Sequence, residues 1–552
     1  MKKTLFLNFL LLVVALTGCT VKEVIFDAPA TNNFIQSEVD MTSVINGTYG
    51  KLQSGNLEKF EMLKLKFFAA DDISSVTAAL TPISLKTYSA DLSTFGIVYF
   101  RLYEIINNCN YILDKLQQVD FNPAYEIRAE GETKFLRAYA YFNLVRFFGA
   151  VPITTNVTNS STTFDYPRSS VDEVYSLIIS DLQTASSNLP DKSIPIISGL
   201  GRANKGAAQG MLSLVYLTYG NYLDSKNAPS TSAFSSAKTY SDSVINSNQY
   251  IIIDNYADIF DVSKEAGAYK EVIFGIEFTR DAQVGALASR GSEFASKFMP
   301  SSLANVSAAG VNRSGLSQGK IQPFFYDIYT KGSYVGDYRV DTSFLTRWTN
   351  PSNIVVNAYP SKQNTGETNE KQPYLNKYRD PLAIDQRNNE NDLFVLRLSE
   401  VYLIKAEAEN EINGPTVEAY AAFNKLRERA RKANGTARLT PANLTVGLTK
   451  NQFRAAIFDE RGLELVGEGH RWFDLVRMKG PNGTGTMYEY MFGTYIPTIP
   501  AGLPAWNTTS KTWTGGRKET TNIVPYNSKF LLFPIPADQL SLSSFLTQNP
   551  GY

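Results

Sequence analysis

Apolar residues in the first half of the chain recur at helical spacing. Phe95, Val98, Tyr99, Leu102, Ile105, Ile106, Cys109, Ile112, Leu113 and Leu116 form one continuous stripe, which predicts a long amphipathic helix over 94–119. Phe135, Ala138, Tyr139, Phe142 and Val145 repeat the pattern over 133–148, and Gly149 and Pro152 end it. Ser170 and Glu173 have capping-box spacing ahead of a stripe of Val174, Leu177, Ile178, Leu182 and Ala185, which Pro190 stops. The segment 204–222 places Ala203, Ala207 and Gly210 on one face, small enough to let two helices approach closely. A later pair, 399–412 and 416–432, forms a helical hairpin around Gly414 and Pro415.

Between these sets the pattern changes. Residues 223–391 are rich in Ser, Asn, Gly and Tyr and hold few long stripes; 271–279 reads as a strand, and the rest as long loops and short strands. A second loop-rich stretch, 481–527, carries Trp506 and Trp513. Loops of this length in a compact protein are commonly functional, so the middle segment is where a ligand surface is expected.

One stretch, 453–479, concentrates chemistry. Phe453, Ala456 and Ile457 predict a buried stripe, while Glu460, Glu464 and Glu468 fall at i, i+4 and i+8 and share a face. Arg461, Arg471 and Arg477 are the nearby cations, and Gly467 and Gly469 should break the helix around Glu468. Trp472, Leu475 and Val476 begin a second short amphipathic turn. Two readings follow. In one, the glutamates and His470 do acid–base work. In the other, arginines satisfy buried acids in a structural knot. Carboxylates on one helix face do not flank a substrate as a glycosidase pair does, which favours the knot.

Composition narrows the function. The formal net charge is zero, so nothing suggests a nucleic-acid footprint. Aromatics reach 12 %, with Tyr 31 and Phe 33 against Trp 4, enough for a core and for rings that stack on a ligand. Residues 1–18 read as a signal peptide: Lys2 and Lys3 precede an apolar run too short to span a membrane. Leu16–Cys19 looks like a lipoprotein cleavage box, leaving Cys19 as the lipidated residue and 19–35 as a leash. Cys109 is then the remaining cysteine, so no disulfide is expected. With one histidine there is no Cys/His zinc set, and no cofactor is expected; a carboxylate-only calcium site stays open. There is no phosphate loop and no HExxH, and a Ser-His-Asp triad would need His470 from inside the knot.

The run Glu460-Arg461, Glu464-Leu465 and Glu468 through Leu475 resembles a signature of the SusD/RagB family of outer-membrane nutrient-uptake lipoproteins. Leu532–Pro536 and Gln548–Tyr552 resemble that family's closing motif. Similar runs lie at Phe135–Tyr139, at Arg202–Ala208, at Arg397, Glu400, Ala406 and Glu407, and at Asn424, Arg427 and Arg429. The resemblance implies a mainly α, tetratricopeptide-like helical-hairpin scaffold with long loop-rich insertions and short strands, in one large domain over 36–552. The scaffold would be 94–222 and 399–479, with a ligand-binding insertion at 223–391 and a loop-rich end at 480–552. It also implies a non-enzymatic binder, held in the outer membrane by its lipid, that captures a glycan for a SusC-like TonB-dependent transporter. Peptide capture, as in RagB, and a carboxylate-dependent glycoside hydrolase are the alternatives. Asp72, at a loop entrance, together with Tyr88, Tyr326, Tyr334 and Trp348, is the expected ligand-binding set.

Overall fold

The structure is a computed structural model. It describes residues 35–53, 57–75, 77, 80–158, 166–192, 201–280, 291–303, 315–383, 388–432, 436–519 and 524–552. Cys19, the signal peptide and nearly all of the leash lie outside them.

The longer helices are α1 Glu38–Lys51, α2 Met62–Phe68, α3 Ser93–Leu116, α4 Pro123–Phe148, α5 Val171–Asn188, α6 Lys205–Ser225, α7 Thr231–Asn246, α8 Leu398–Asn413, α9 Val417–Ala430, α10 Lys450–Glu464 and α11 Arg471–Arg477. Their signals are local. The α3 stripe is buried along Phe95, Val98, Leu102, Ile105, Ile106, Cys109 and Ile112. The Ser170–Glu173 capping box starts α5, and Gly149 ends α4 with φ +73°. From α3 to α8 each helix packs on the next, and α8 also packs on α9 and α10. The two helical sets are therefore one scaffold of stacked hairpins, and α6 touches α8 directly.

One scaffold helix was not expected. Residues 231–246 read as the start of the loop-rich insertion, because Ser and Thr crowd the segment and lower its helix propensity. In the structure they are α7, which buries Ala233, Phe234, Ala237, Ser241 and Val244 between α6 and α8. Tertiary packing outweighs the weak local preference. The insertion thus leaves the scaffold after α7 and returns at α8.

The strands of and around the insertion form several small sheets. β1 Val272–Ile276 pairs antiparallel with β5 Leu393–Arg397, Phe274 opposite Leu396. β2 Arg347–Thr349 and β3 Val355–Ala358 are antiparallel, and β4 Thr368–Glu370 runs parallel to β3. A C-terminal hairpin, β6 Gly502–Asn507 and β7 Thr512–Lys518, sets Trp506 opposite Trp513. β5 runs straight into α8, so the insertion re-enters with no intervening loop.

The small face of α6 accepts the insertion's sheet. A Cβ on Gly210 would lie 2.5 Å from Leu396 Cδ2 and 3.5 Å from Ile273 Cγ2. The close approach expected for a helix partner is instead made to β1 and β5. Gly210→Leu should overpack this seam at a cost of about 1–3 kcal/mol, read as a lowered thermal midpoint with unchanged helical content.

Candidate ligand-binding site

The candidate site rests on a buried ionic core. Helix α10 delivers Glu460 and Glu464, and the following turn delivers Glu468; Gly467 and Gly469 take φ +76° and +86° there, as the glycine corner requires. Arg397, at the end of β5, is the hub. Its Nε and Nη2 donate to Glu468 at 2.7 and 2.9 Å, and Nη1 donates to Glu271 at 2.7 Å and to Glu464 at 3.1 Å. Arg339 spans Asp337 at 2.7 Å, Glu460 at 2.7 Å and Glu464 at 3.0 Å. Arg427 bonds Glu460, Arg429 bonds Glu464, and Lys377 Nζ donates to Glu468 at 2.7 Å. Five acids thus meet five bases, all with side chains at most 1 % exposed.

The partners differ from those expected. Arg461 pairs with Asp474 and Glu400, Arg471 with Asp71, and Arg477 with Glu407 and Asp474. None reaches Glu468, because the glycine corner turns that side chain toward β5 and Lys377. His470 Nδ1 lies 3.2 Å from Glu400, on the rim of this second cluster. Burial alone raises the carboxyls of Glu464 and Glu468, but the facing cations outweigh it. Arg429, Arg397 and Arg339 hold Glu464 well below the usual range, and Arg397 and Lys377 lower Glu468. Burial pulls the Lys377 ammonium down to about 8, against the pull of Glu468.

Directly on this core sits an open cavity of about 580 Å³. Lys377 is its floor, with the ammonium 4.6 Å from the Phe260 ring centre. Phe260, Met299, Leu303 and Tyr338 give it apolar wall, and Asn255, Asn376 and Arg379 give it polar wall. All of its lining except Arg438 comes from 255–389. Asn255 Nδ2 donates to Asp258 at 2.6 Å and Asn376 Nδ2 to the Asp341 carbonyl at 3.2 Å, which fixes both amides. Their carbonyl oxygens then have no donor. Arg379 is exposed and its guanidinium has no carboxylate partner among the described residues. Asp380 is fully occupied by Arg280 and by the amides of Leu382 and Glu390. Among the described residues no three carboxylate, histidine or cysteine side chains gather as a metal set.

The five expected ligand residues are all inside the protein and do not converge. Asp72 is 1 % exposed beyond α2; burial and then Asp71 push its carboxyl up to about 7, and Oδ1 has no donor. Tyr88 packs against Phe95, Phe530 and Phe533 and accepts a hydrogen bond from Tyr552 at 3.3 Å, so it anchors the closing segment. Tyr326 packs on Phe344 and Tyr359. Tyr334 lies under Arg427 and edge-on to Tyr329. Trp348 donates to Ser302 Oγ at 3.1 Å and sits behind Met299 and Leu303, one layer below the cavity wall. Asp337 and Arg339, from the same insertion, belong to the ionic core. None of the five expected residues lines the cavity; the Ser-, Asn-, Gly- and Tyr-rich composition of 223–391 was the signal that pointed to its segment.

Stacked helical hairpins carrying a loop-built cavity on a charged core define a repeat-scaffold protein with a large insertion. Comparison identifies the family. The SusD family profile matches residues 270–552, and a profile described as starch-binding, associating with the outer membrane, matches 27–217. The chain belongs to the SusD family. It is 29 % identical over 569 aligned positions to SusD-like protein P25 of Formosa agariphila, covering 95 % of this chain and 94 % of that one. It is 24 % identical over 499 to the starch-binding protein SusD of Bacteroides thetaiotaomicron, covering 82 % and 78 %. Among solved structures, a SusD homologue from Bacteroides thetaiotaomicron superposes with TM-score 0.74 at 21 % identity, over 94 % of this chain and 98 % of that one. A laminarin-binding SusD-like protein gives 0.67 at 23 %, over 94 % and 100 %. The shared fold is the tetratricopeptide-like scaffold.

Two outcomes follow from the ionic core. Glu468→Ala leaves Arg397 and Lys377 buried without their shared carboxylate and should cost about 3–5 kcal/mol, measured by thermal or urea unfolding. The pH dependence has a defined sign. Glu460, Glu464 and Glu468 have folded values below their ordinary 4.5. Their contribution to stability is therefore complete above pH 4.5 and is lost as pH falls below it. Melts at pH 7, 5 and 3 should show the steepest loss between the last two, and the loss should shrink in Glu464→Gln.

Proposed function

We propose that this protein is a lipid-anchored receptor at the outer membrane that captures an oligosaccharide in the cavity above Lys377 and passes it to a SusC-like TonB-dependent transporter. The observation that carries the ligand class is the mixed lining of the cavity, where Arg379 and the side chains of Asn255 and Asn376 stand with the rings of Phe260 and Tyr338. Arg379 adds donors for hydroxyl or ring oxygens, and Phe260 and Tyr338 offer apolar surface to the carbon faces of a pyranose. The volume suits a few sugar units. Relatives named as starch-binding and laminarin-binding support the same class.

The reading is of binding without turnover. Asp380 is consumed by internal hydrogen bonds, Asp261 accepts from Ser263, Asp341 lines the cavity near Arg438, and the glutamates nearest the floor are neutralised in the ionic core. Asp72, Tyr88, Tyr326, Tyr334 and Trp348 enter this reading as supports behind the ligand surface. Cys19 would hold the protein to the membrane, consistent with the family description and with the absence, among the described residues, of any helix long and apolar enough to cross one.

Affinity in the micromolar to millimolar range, about −8 to −4 kcal/mol, is expected for the soluble form beginning after Cys19. Asn376→Ala and Arg379→Gln should each weaken glycan binding about tenfold by calorimetry, with melting unchanged. Unaltered binding in both variants would remove the cavity from the function. Full-length protein should co-purify with the transporter in mild detergent. A protein that runs alone while its transporter works normally without it would refute the delivery step.

A further inference from the structure

Of the four tryptophans in the chain, Trp472 and Trp348 are buried, and Trp506 and Trp513 stand half-exposed on the β6–β7 hairpin. They face each other across the two strands, ring centres 5.6 Å apart at 66°. The pair is fastened from below. Trp513 donates its indole N–H to the Ser361 carbonyl at 2.8 Å and packs edge-on to Tyr359, 5.7 Å away. Tyr359 in turn donates to Asp327, lies under the Arg517 guanidinium at 4.9 Å, and touches Tyr326. Trp506 has no such root. Its only ring partner is Trp513, and its indole nitrogen has no partner among the described residues. Its strand neighbours Ala505 and Asn507, and Thr512 and Thr514 opposite, are exposed. A two-stranded hairpin is marginal by itself, so the fold spends the Trp513 anchor to hold an exposed indole still.

Packed residues join the hairpin to the cavity wall. Met299 and Leu303 form cavity wall on one side and pack with Trp348, Val356 and Ala358 on the other. The chain then continues from Ala358 into Tyr359 and Ser361, which carry Trp513.

We infer that Trp506, held by Trp513, is a second sugar-stacking surface, which engages a pyranose face of a glycan whose other units occupy the cavity. This rests on the reading of the protein as a glycan receptor and goes beyond it, because it makes affinity depend on chain length. A ring held rigid before binding loses little entropy on stacking, and two linked contacts on one chain reinforce each other. A disaccharide reaches one surface; a longer oligosaccharide reaches both.

The test is a glycan array of fragments from two to eight units, probed with wild type, Trp506→Ala and Arg379→Gln, followed by calorimetry on each glycan that binds. The expected result is that wild type binds long fragments tighter than short ones. Trp506→Ala should lose about tenfold on the long fragments and little on the disaccharide, at an unchanged melting temperature. Arg379→Gln should lose affinity at every length. Equal affinities for wild type and Trp506→Ala at all lengths overturn the inference while leaving the receptor reading intact. Unchanged glycan binding with lost co-purification of the transporter also overturns it and reassigns the hairpin to the partner. An array on which wild type binds nothing removes the receptor reading and this inference together.

Discussion

Arg397 joins the two halves of this protein. It closes β5, the strand by which the insertion returns, and its guanidinium holds Glu271 from the first insertion strand and Glu464 and Glu468 from the signature turn. Without it three carboxylates would face one another in the interior. With Arg339, Arg427, Arg429 and Lys377 the charges balance, and the acids stay ionised despite burial. Such a core is costly to assemble, since each ion gives up its water, and costly to break by halves. Its return here is geometric: it fixes the insertion against α9 and α10 at one register.

That register decides where the cavity lies. Lys377 is both a member of the ionic core and the floor of the cavity, so the cavity inherits the core's rigidity. The seam at Gly210 holds the other side of the insertion against α6. The loop-built walls are therefore carried on a base that does not move with them, as a site with preorganised contacts needs.

The aromatic content divides by depth. Tyr326, Tyr329, Tyr334 and Phe344 form an edge-to-face and stacked cluster inside, and Tyr88 ties Phe533 and Tyr552 of the closing segment to the start of α3. The closing motif is thereby explained as packing: Phe533 stacks on Trp472 at 5.4 Å, joining the two signature segments. At the surface remain Phe100, Phe545 and the half-exposed Trp506–Trp513 pair.

The helices, the capping box on α5, the glycine stops and the glycine corner at Gly467 and Gly469 were legible in the sequence, because each depends on residues within a turn or two of one another. The acidic face of α10 was legible as a structural knot for the same reason. The family motifs made the scaffold legible as one unit. Helix α7 was hidden by its serines, since only burial between α6 and α8 makes it helical. The partners of Glu468 were hidden because Lys377 and Arg397 are 91 and 71 residues away in sequence. The same limit applies to Asp72, Tyr88, Tyr326, Tyr334 and Trp348. Residue type marks a side chain as fit for stacking or hydrogen bonding, but whether it faces a ligand or a core is set by which segments the insertion brings together. The sequence by itself determined the scaffold and its charge chemistry, which are local and periodic; the tertiary structure decided the ion partners and the cavity, which depend on contacts between distant segments.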